Sequence, residues 1–140
     1  MLITPPAFQH SMAVRVYYED TDAGGVVFYA NYLKFFERAR TEMLRAMGYE
    51  QDKLMINPGI VFAVRSVQVE YLKSARFNEQ IEVSAEVIIA KRASLTFEQL
   101  ITRGDDVLCT SMTRIACLDA NTLRPKEIPK ILQELLKNEY

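Results

Sequence analysis

The spacing of apolar residues changes three times along the chain. Val14, Val16 and Tyr18 alternate with Arg15 and Tyr17, the period-two pattern of a half-buried strand, which predicts one near residues 12–19. From Asn31 to Met47 the spacing becomes three and four: Tyr32, Phe35, Phe36, Ala39, Met43, Ala46 and Met47 share a face, with Lys34, Arg38, Glu42 and Arg45 elsewhere. That pattern is an amphipathic helix. Asn31 is placed to cap its start, and Gly48 to end it in the left-handed conformation. From Ile60 the period returns to two. Val67, Val69 and Tyr71 alternate with Ser66, Gln68 and Glu70, and Ile81, Val83, Ala85, Val87 and Ile89 with Gln80, Glu82, Ser84 and Glu86. Leu95, Phe97 and Ile101 mark another strand, Gly104-Asp105-Asp106 a turn, and Val107 to Leu118 a last strand. Asp119 to Pro125 leaves the sheet. Pro129 then suits the first turn of a short terminal helix with Ile131, Leu132, Leu135 and Leu136 as its apolar stripe.

The order is strand, one long helix, then about four strands joined by short turns. Short connections imply antiparallel pairing, so the chain reads as an α+β domain with one sheet on one helix. Residues 1–11 read as a tail and 12–140 as a single domain. One helix cannot cover both faces and both edges of such a sheet, so self-association is expected.

Composition narrows the chemistry. Seventeen basic residues against 18 acidic ones give a net charge of −1, which provides no global field for nucleic acid or anionic membrane. No apolar run approaches the length of a membrane span, and MLITPPAFQHSM lacks the pattern of a signal peptide, so the chain reads as cytoplasmic. The one histidine, His10, falls in the expected tail, which argues against a metal site built on imidazoles and against Ser-His or Cys-His nucleophile pairs. Cys109 and Cys117 fall eight apart in one strand, roughly 26 Å, and read as buried small hydrophobes. Carboxylates and backbone dipoles must then carry any catalysis.

The segment between the first strand and the helix, Glu19-Asp20-Thr21-Asp22-Ala23-Gly24-Gly25-Val26-Val27-Phe28-Tyr29-Ala30-Asn31, places acids and glycines directly before a helix N-terminus. Backbone N–H groups without intrahelical partners, at the positive end of a helix, suit a developing oxyanion. An acidic turn that merely caps the helix fits the same residues.

The string VYYEDTDAGGVVFYANYLKFFERAR, residues 16–40, resembles the signature of hotdog-fold acyl-CoA thioesterases of the 4-hydroxybenzoyl-CoA thioesterase family, in particular the Tol-Pal system-associated branch. VEYLKSAR, residues 69–76, extends the resemblance, which covers roughly 13–130. It implies a hotdog fold, a five-stranded antiparallel sheet wrapped around one long central helix. The activity it implies is hydrolysis of acyl-CoA without metal or cofactor, coenzyme A being part of the substrate. Asp22 matches the family's catalytic carboxylate, either nucleophile or general base. The backbone N–H of Tyr29 matches the donor to the thioester oxygen. Where Tol-Pal-associated members commonly read VVYHANY this chain reads VVFYANY, with Tyr29 in place of a histidine. Tyr18 matches a tyrosine near the catalytic carboxylate, although a strand tyrosine packed on the helix fits as well.

For the coenzyme A nucleotide the resemblance implies Lys91, Arg92 and Ser94, with Arg124 as a further basic contact. A solvated charged turn is the plain reading of the same cluster. Hotdog sites lie between two chains, which sets Asp22 of one against Phe62 to Ser66 of another, with Phe62 and Val64 as candidates for the acyl pocket. The branch implies a homotetramer, a dimer of dimers, and leaves coenzyme A or acyl carrier protein open as the carrier. A low-turnover acyl-binding or acyl-carrier-protein-docking protein is the competing function. A hotdog dehydratase would need a catalytic histidine, and His10 lies outside the matching segment.

Overall fold

The computed structural model describes residues 9–136. Residues 1–8 of the expected tail and 137–140 of the expected domain lie outside the described residues. Strand β1 (Gln9–Arg15) leads through a loop to α1 (Asn31–Ala46) and the short α2 (Gln51–Ile56). There follow β2 (Ile60–Tyr71), β3 (Gln80–Ala90), β4 (Ser94–Arg103), β5 (Asp106–Asp119) and α3 (Lys130–Leu136). The five strands form one sheet in the order β1-β3-β4-β5-β2, with every pairing antiparallel. One long helix on a five-stranded antiparallel sheet is the expected hotdog arrangement.

The core lies between α1 and one face of the sheet. From the helix come Tyr32, Phe35, Phe36, Ala39, Met43 and Leu44, and from the sheet Ile81, Val83, Ala85, Val87, Leu95, Phe97 and Ile101, all buried. Their alternation along β3 and β4 is the period-two pattern made physical. Ala46, expected on the buried face, is exposed, and Leu44 is buried instead. Arg40 also lies on this buried face.

Two bulges set the register. At Arg65 the pairing with β5 shifts between Val64 and Ser66, so Phe62 and Val64 share the helix side with Val67, Val69 and Tyr71 although the parity changes. A second bulge between Val87 and Ile89 carries Ile89 to the outer face, which corrects its expected place in the buried row.

Several expected boundaries move. β1 begins at Gln9, so His10 pairs opposite Ala85 in an edge strand rather than lying in a tail. The strand ends at Arg15, and Tyr18–Asp20 forms a 3-10 turn where continued alternation was expected. Asn31 is not the cap of α1. Ala30 takes that position, and the Asn31 side-chain amide instead donates to the Asp20 carbonyl at 2.9 Å. Gly48 ends the helix at φ +95°, as its position predicts. α2 was not anticipated. Six residues with one buried side chain, Leu54, show no periodicity to read. Pro129 sits one residue ahead of α3, which buries Leu132 and Leu136 and leaves Ile131 and Leu135 exposed.

Candidate active site

The chain from Val16 to Ala30 is held at both edges. Val16 donates to the Glu79 carbonyl and accepts from Asn78 N–H, which ties the loop to the segment before β3. The Asp20 carboxylate accepts the Tyr17 N–H at 2.8 Å, while its carbonyl accepts Phe28 N–H at 3.0 Å. Between these anchors Asp22 N–H donates to the Val26 carbonyl and Gly25 N–H to the Asp22 carbonyl. The result is a tight turn with Gly25 at φ +78°, a backbone state that glycine adopts without strain. The Asp22 side chain points to solvent, and its Oδ1 accepts the Gly24 N–H at 2.8 Å.

The segment after β2 backs this turn. Val27 N–H donates to the Ala75 carbonyl, Phe77 N–H to the Gly25 carbonyl, and Val26 pairs with Arg76. Ala75 N–H in turn donates to the Tyr32 hydroxyl at 3.0 Å, and burial pushes that phenol above its ordinary value. The two stretches that carry the sequence resemblance are therefore one structural unit.

At the start of α1, Asn31, Tyr32 and Leu33 donate to the carbonyls three residues back. The N–H groups of Tyr29 and Ala30 find no acceptor among the described residues. Two free donors at the positive end of a 16-residue helix, on the loop that presents a carboxylate, can bind a carbonyl oxygen and stabilise negative charge on it. The Tyr29 carbonyl accepts the Tyr71 hydroxyl at 3.2 Å, and the Tyr29 ring meets Tyr71 edge-on at 6.1 Å.

The basic residues expected at the nucleotide lie elsewhere. Lys91 to Ser94 form the turn between β3 and β4, whereas the Asp22 loop adjoins the other end of β3, where Arg15 pairs with Gln80. Eleven residues of strand separate them, roughly 30 Å. At the far end the turn meets the segment after β5, where Ile128 N–H donates to the Arg92 carbonyl and Arg92 Nε reaches Glu127 at 3.4 Å. Arg124 is exposed there, and Ser94 is half-buried. Lys126 is committed to the Pro58 carbonyl at 2.8 Å and to Asp119 at 3.6 Å. Phe62 and Val64 lie on the helix side of β2 at that same end and line a cavity of about 240 Å³. One chain thus groups the nucleotide candidates with the pocket candidates and holds Asp22 apart from both. Among the described residues no three His, Cys, Asp or Glu side chains converge to hold a metal ion, and no helix is long and apolar enough to cross a membrane.

Residues 16–136 match the model of the thioesterase-like superfamily. The chain belongs to that superfamily. It is 42% identical over 120 residues to the acyl-CoA thioesterase YbgC of Haemophilus influenzae, covering 86% of this chain and 88% of that one. To the acyl-CoA thioester hydrolase YbgC of Escherichia coli it is 42% identical over 118 residues, 84% and 87% of the two chains. A probable thioesterase from Bartonella henselae superposes with a TM-score of 0.83 at 31% identity, covering 86% of this chain and 99% of that one.

Tyr18 is 79% exposed and packs edge-on against Phe77 at 5.9 Å, and among the described residues it makes no hydrogen bond to Asp22. The Tyr71 anchor escaped the sequence reading, since it depends on a pairing that no local pattern encodes, and so did Arg40, which lines the cavity beside Phe62 and Val64. Arg40 was visible: it stands four residues after Phe36 on the buried stripe, a charge where the period demands an apolar side chain.

Proposed function

We propose that this protein is an acyl-CoA thioesterase whose site is completed by two copies of the chain. The observation that carries the reading is the pair of unclaimed N–H groups, Tyr29 and Ala30, on the loop that holds the solvent-facing Asp22 carboxylate. The thioester carbonyl oxygen accepts from Tyr29 N–H, with Ala30 N–H beside it. Asp22 then either takes a proton from water as it adds to the carbonyl carbon, or adds itself to form a mixed anhydride that water opens. In both courses negative charge passes through the oxyanion held at the helix start, the C–S bond breaks, and coenzyme A leaves as a thiolate. A thiolate leaves without strong acid assistance, which suits a site with no histidine.

The roughly 30 Å between Asp22 and the Lys91–Ser94 turn supports a shared site. Antiparallel pairing of β2 with its counterpart would bring one chain's Phe62, Val64, Lys91, Arg92, Ser94 and Arg124 toward the partner's Asp22. β2 is a 12-residue edge strand with Val64 and Val67 exposed on its helix side, the kind of edge that proteins cover. Tyr18 is assigned no step. A dimer of such dimers follows the family branch, and acyl carrier protein remains the alternative carrier.

Thiol release from short, long and aromatic acyl-CoA esters, by wild type and by Asp22→Asn, tests the reading. Saturable release that falls about 10²- to 10⁴-fold in a folded Asp22→Asn variant is expected. No release from any acyl-CoA by a folded oligomer would favour acyl-carrier-protein esters or acyl binding without turnover, and the same assay with acyl carrier protein separates those two.

A further inference from the structure

The cavity beside Phe62 and Val64 is not uniformly apolar. Phe62, Val64, Phe97 and Ile115 line it together with Arg40, whose hydrogen bond to Gln99 sets it over β4, with β5 between it and Phe62 and Val64 on β2. Arg40 is only 8% exposed, and its one hydrogen bond among the described residues is Nη1–H to Gln99 Oε1 at 2.8 Å. Burial pulls this guanidinium below its ordinary value, and it forms no ion pair among the described residues. Arginine has only donors to offer, so whatever meets its remaining N–H groups must be an acceptor. The other polar side chains that line the cavity are already engaged: Gln51 donates to the Thr41 hydroxyl, which donates to Glu37. Glu37 also lines the cavity and disfavours a second carboxylate there.

We propose that Arg40 determines acyl specificity, and that this cavity receives acyl groups carrying a neutral hydrogen-bond acceptor, an oxo or hydroxyl oxygen, at the end away from the thioester. The inference rests on the thioesterase reading and on Phe62 and Val64 facing the reacting carbonyl. Size supports it. At about 240 Å³ the cavity has room for an acyl group of medium length. A plain methyl terminus would leave buried N–H groups of Arg40 without acceptors, a penalty that a matching oxygen removes.

The test compares kcat/KM for octanoyl-CoA with matched esters ending in a methyl ketone, a primary hydroxyl or a carboxylate, in wild type, Arg40→Lys, Arg40→Met and the double variant Arg40→Met/Gln99→Leu. Wild type is expected to prefer the ketone or hydroxyl ester by about tenfold or more over octanoyl-CoA. Arg40→Met should bring kcat/KM for the ketone and hydroxyl esters down to about that for octanoyl-CoA, and Arg40→Lys should retain part of the preference. The double variant removes both hydrogen-bond partners together, so it reports even if Arg40→Met alone fails to fold. Equal turnover of all four esters, a preference unchanged in the folded Met variants, or the carboxylate ester as the best substrate would each overturn the inference. Hydrolysis of none of the four, nor of other acyl-CoA esters, would instead defeat the thioesterase reading.

Discussion

The Asp22 carboxylate and Gly24 are locked together: Oδ1 accepts the Gly24 N–H at 2.8 Å, and a Cβ on Gly24 would stand 3.3 Å from that same oxygen. The contact is tighter than carbon and oxygen prefer, so Gly24→Ala must push the carboxylate aside. Gly24 has no positive φ, so the backbone itself tolerates alanine. With Asp22 in its proposed role, Gly24→Ala should therefore lower kcat about tenfold or more, a small displacement at a reacting group being costly, with Tm nearly unchanged. Gly25→Ala is the control: nothing lies within 4 Å of its added Cβ, but φ +78° strains any L side chain. It should cost about 1 kcal/mol of stability. Steady-state kinetics and thermal melts on both variants separate the two effects.

Gln99 is a buried hub. Its amide nitrogen donates to the carbonyls of Phe36 on α1 and Ser84 on β3, and its oxygen accepts from Arg40, so one side chain fastens the helix to the sheet. Gln99→Leu leaves a buried guanidinium and the Phe36 carbonyl without that partner. The expected loss is about 2–3 kcal/mol, near 10 °C in Tm for a domain of this size. Arg40→Met/Gln99→Leu should lose less than Gln99→Leu alone, since removing both partners strands no charge. A double-mutant cycle by chemical denaturation measures this, and a double variant weaker than both singles would contradict it.

How far these contacts could be read in advance differs by element. The spacing of Phe35, Phe36, Ala39 and Met43 was enough for α1, because a long helix repeats its face several times. The alternation in β3 and β4 was equally plain until Val87, where one extra residue reversed the parity and no local residue announced it. Val16 continued the pattern of β1 but donates to Glu79 rather than to a partner strand, so Tyr17 and Tyr18 turn outward. Asn31 read as a cap because asparagine before an amphipathic run is a common capping residue, but its amide donates to a loop carbonyl instead of its oxygen accepting a helix N–H. At the site, the acids and glycines of residues 19–25 were legible as a turn before a helix. Ala75, Phe77 and Tyr71 were not, because they meet the loop from more than 40 residues away.

The Glu79 carboxylate joins the backing segment to the sheet. Burial draws it upward, but the Arg76 N–H at 2.7 Å and the Arg103 guanidinium at 2.8 Å outweigh this and leave it below its ordinary value of 4.5. A folded value below the unfolded one adds stability that is complete above about pH 4.5 and is lost as pH falls through the folded value. Glu79→Gln should accordingly be about 1 kcal/mol less stable than wild type at pH 7, and the gap should close in acid. Melts of both proteins from neutral pH downward check this. A gap that widens below pH 4.5 would show the sign to be wrong.

Cys109 and Cys117 bear on how the activity is measured. Both are buried in β5, and burial pushes their thiols up to about 12 and about 11, the latter despite the opposing pull of Lys126. At pH 8 the thiolate fractions are on the order of 10⁻⁴ and 10⁻³, and only the thiolate attacks a disulfide reagent. Access is closed as well, since neither residue has exposed surface. The folded protein should therefore give almost no signal with an aromatic disulfide reagent at pH 8, while full denaturation in guanidinium should release both thiols. In an acyl-CoA assay read by that reagent, the colour would then come from coenzyme A alone. Rapid titration of either cysteine in the native protein would mean that β5 opens on the assay timescale.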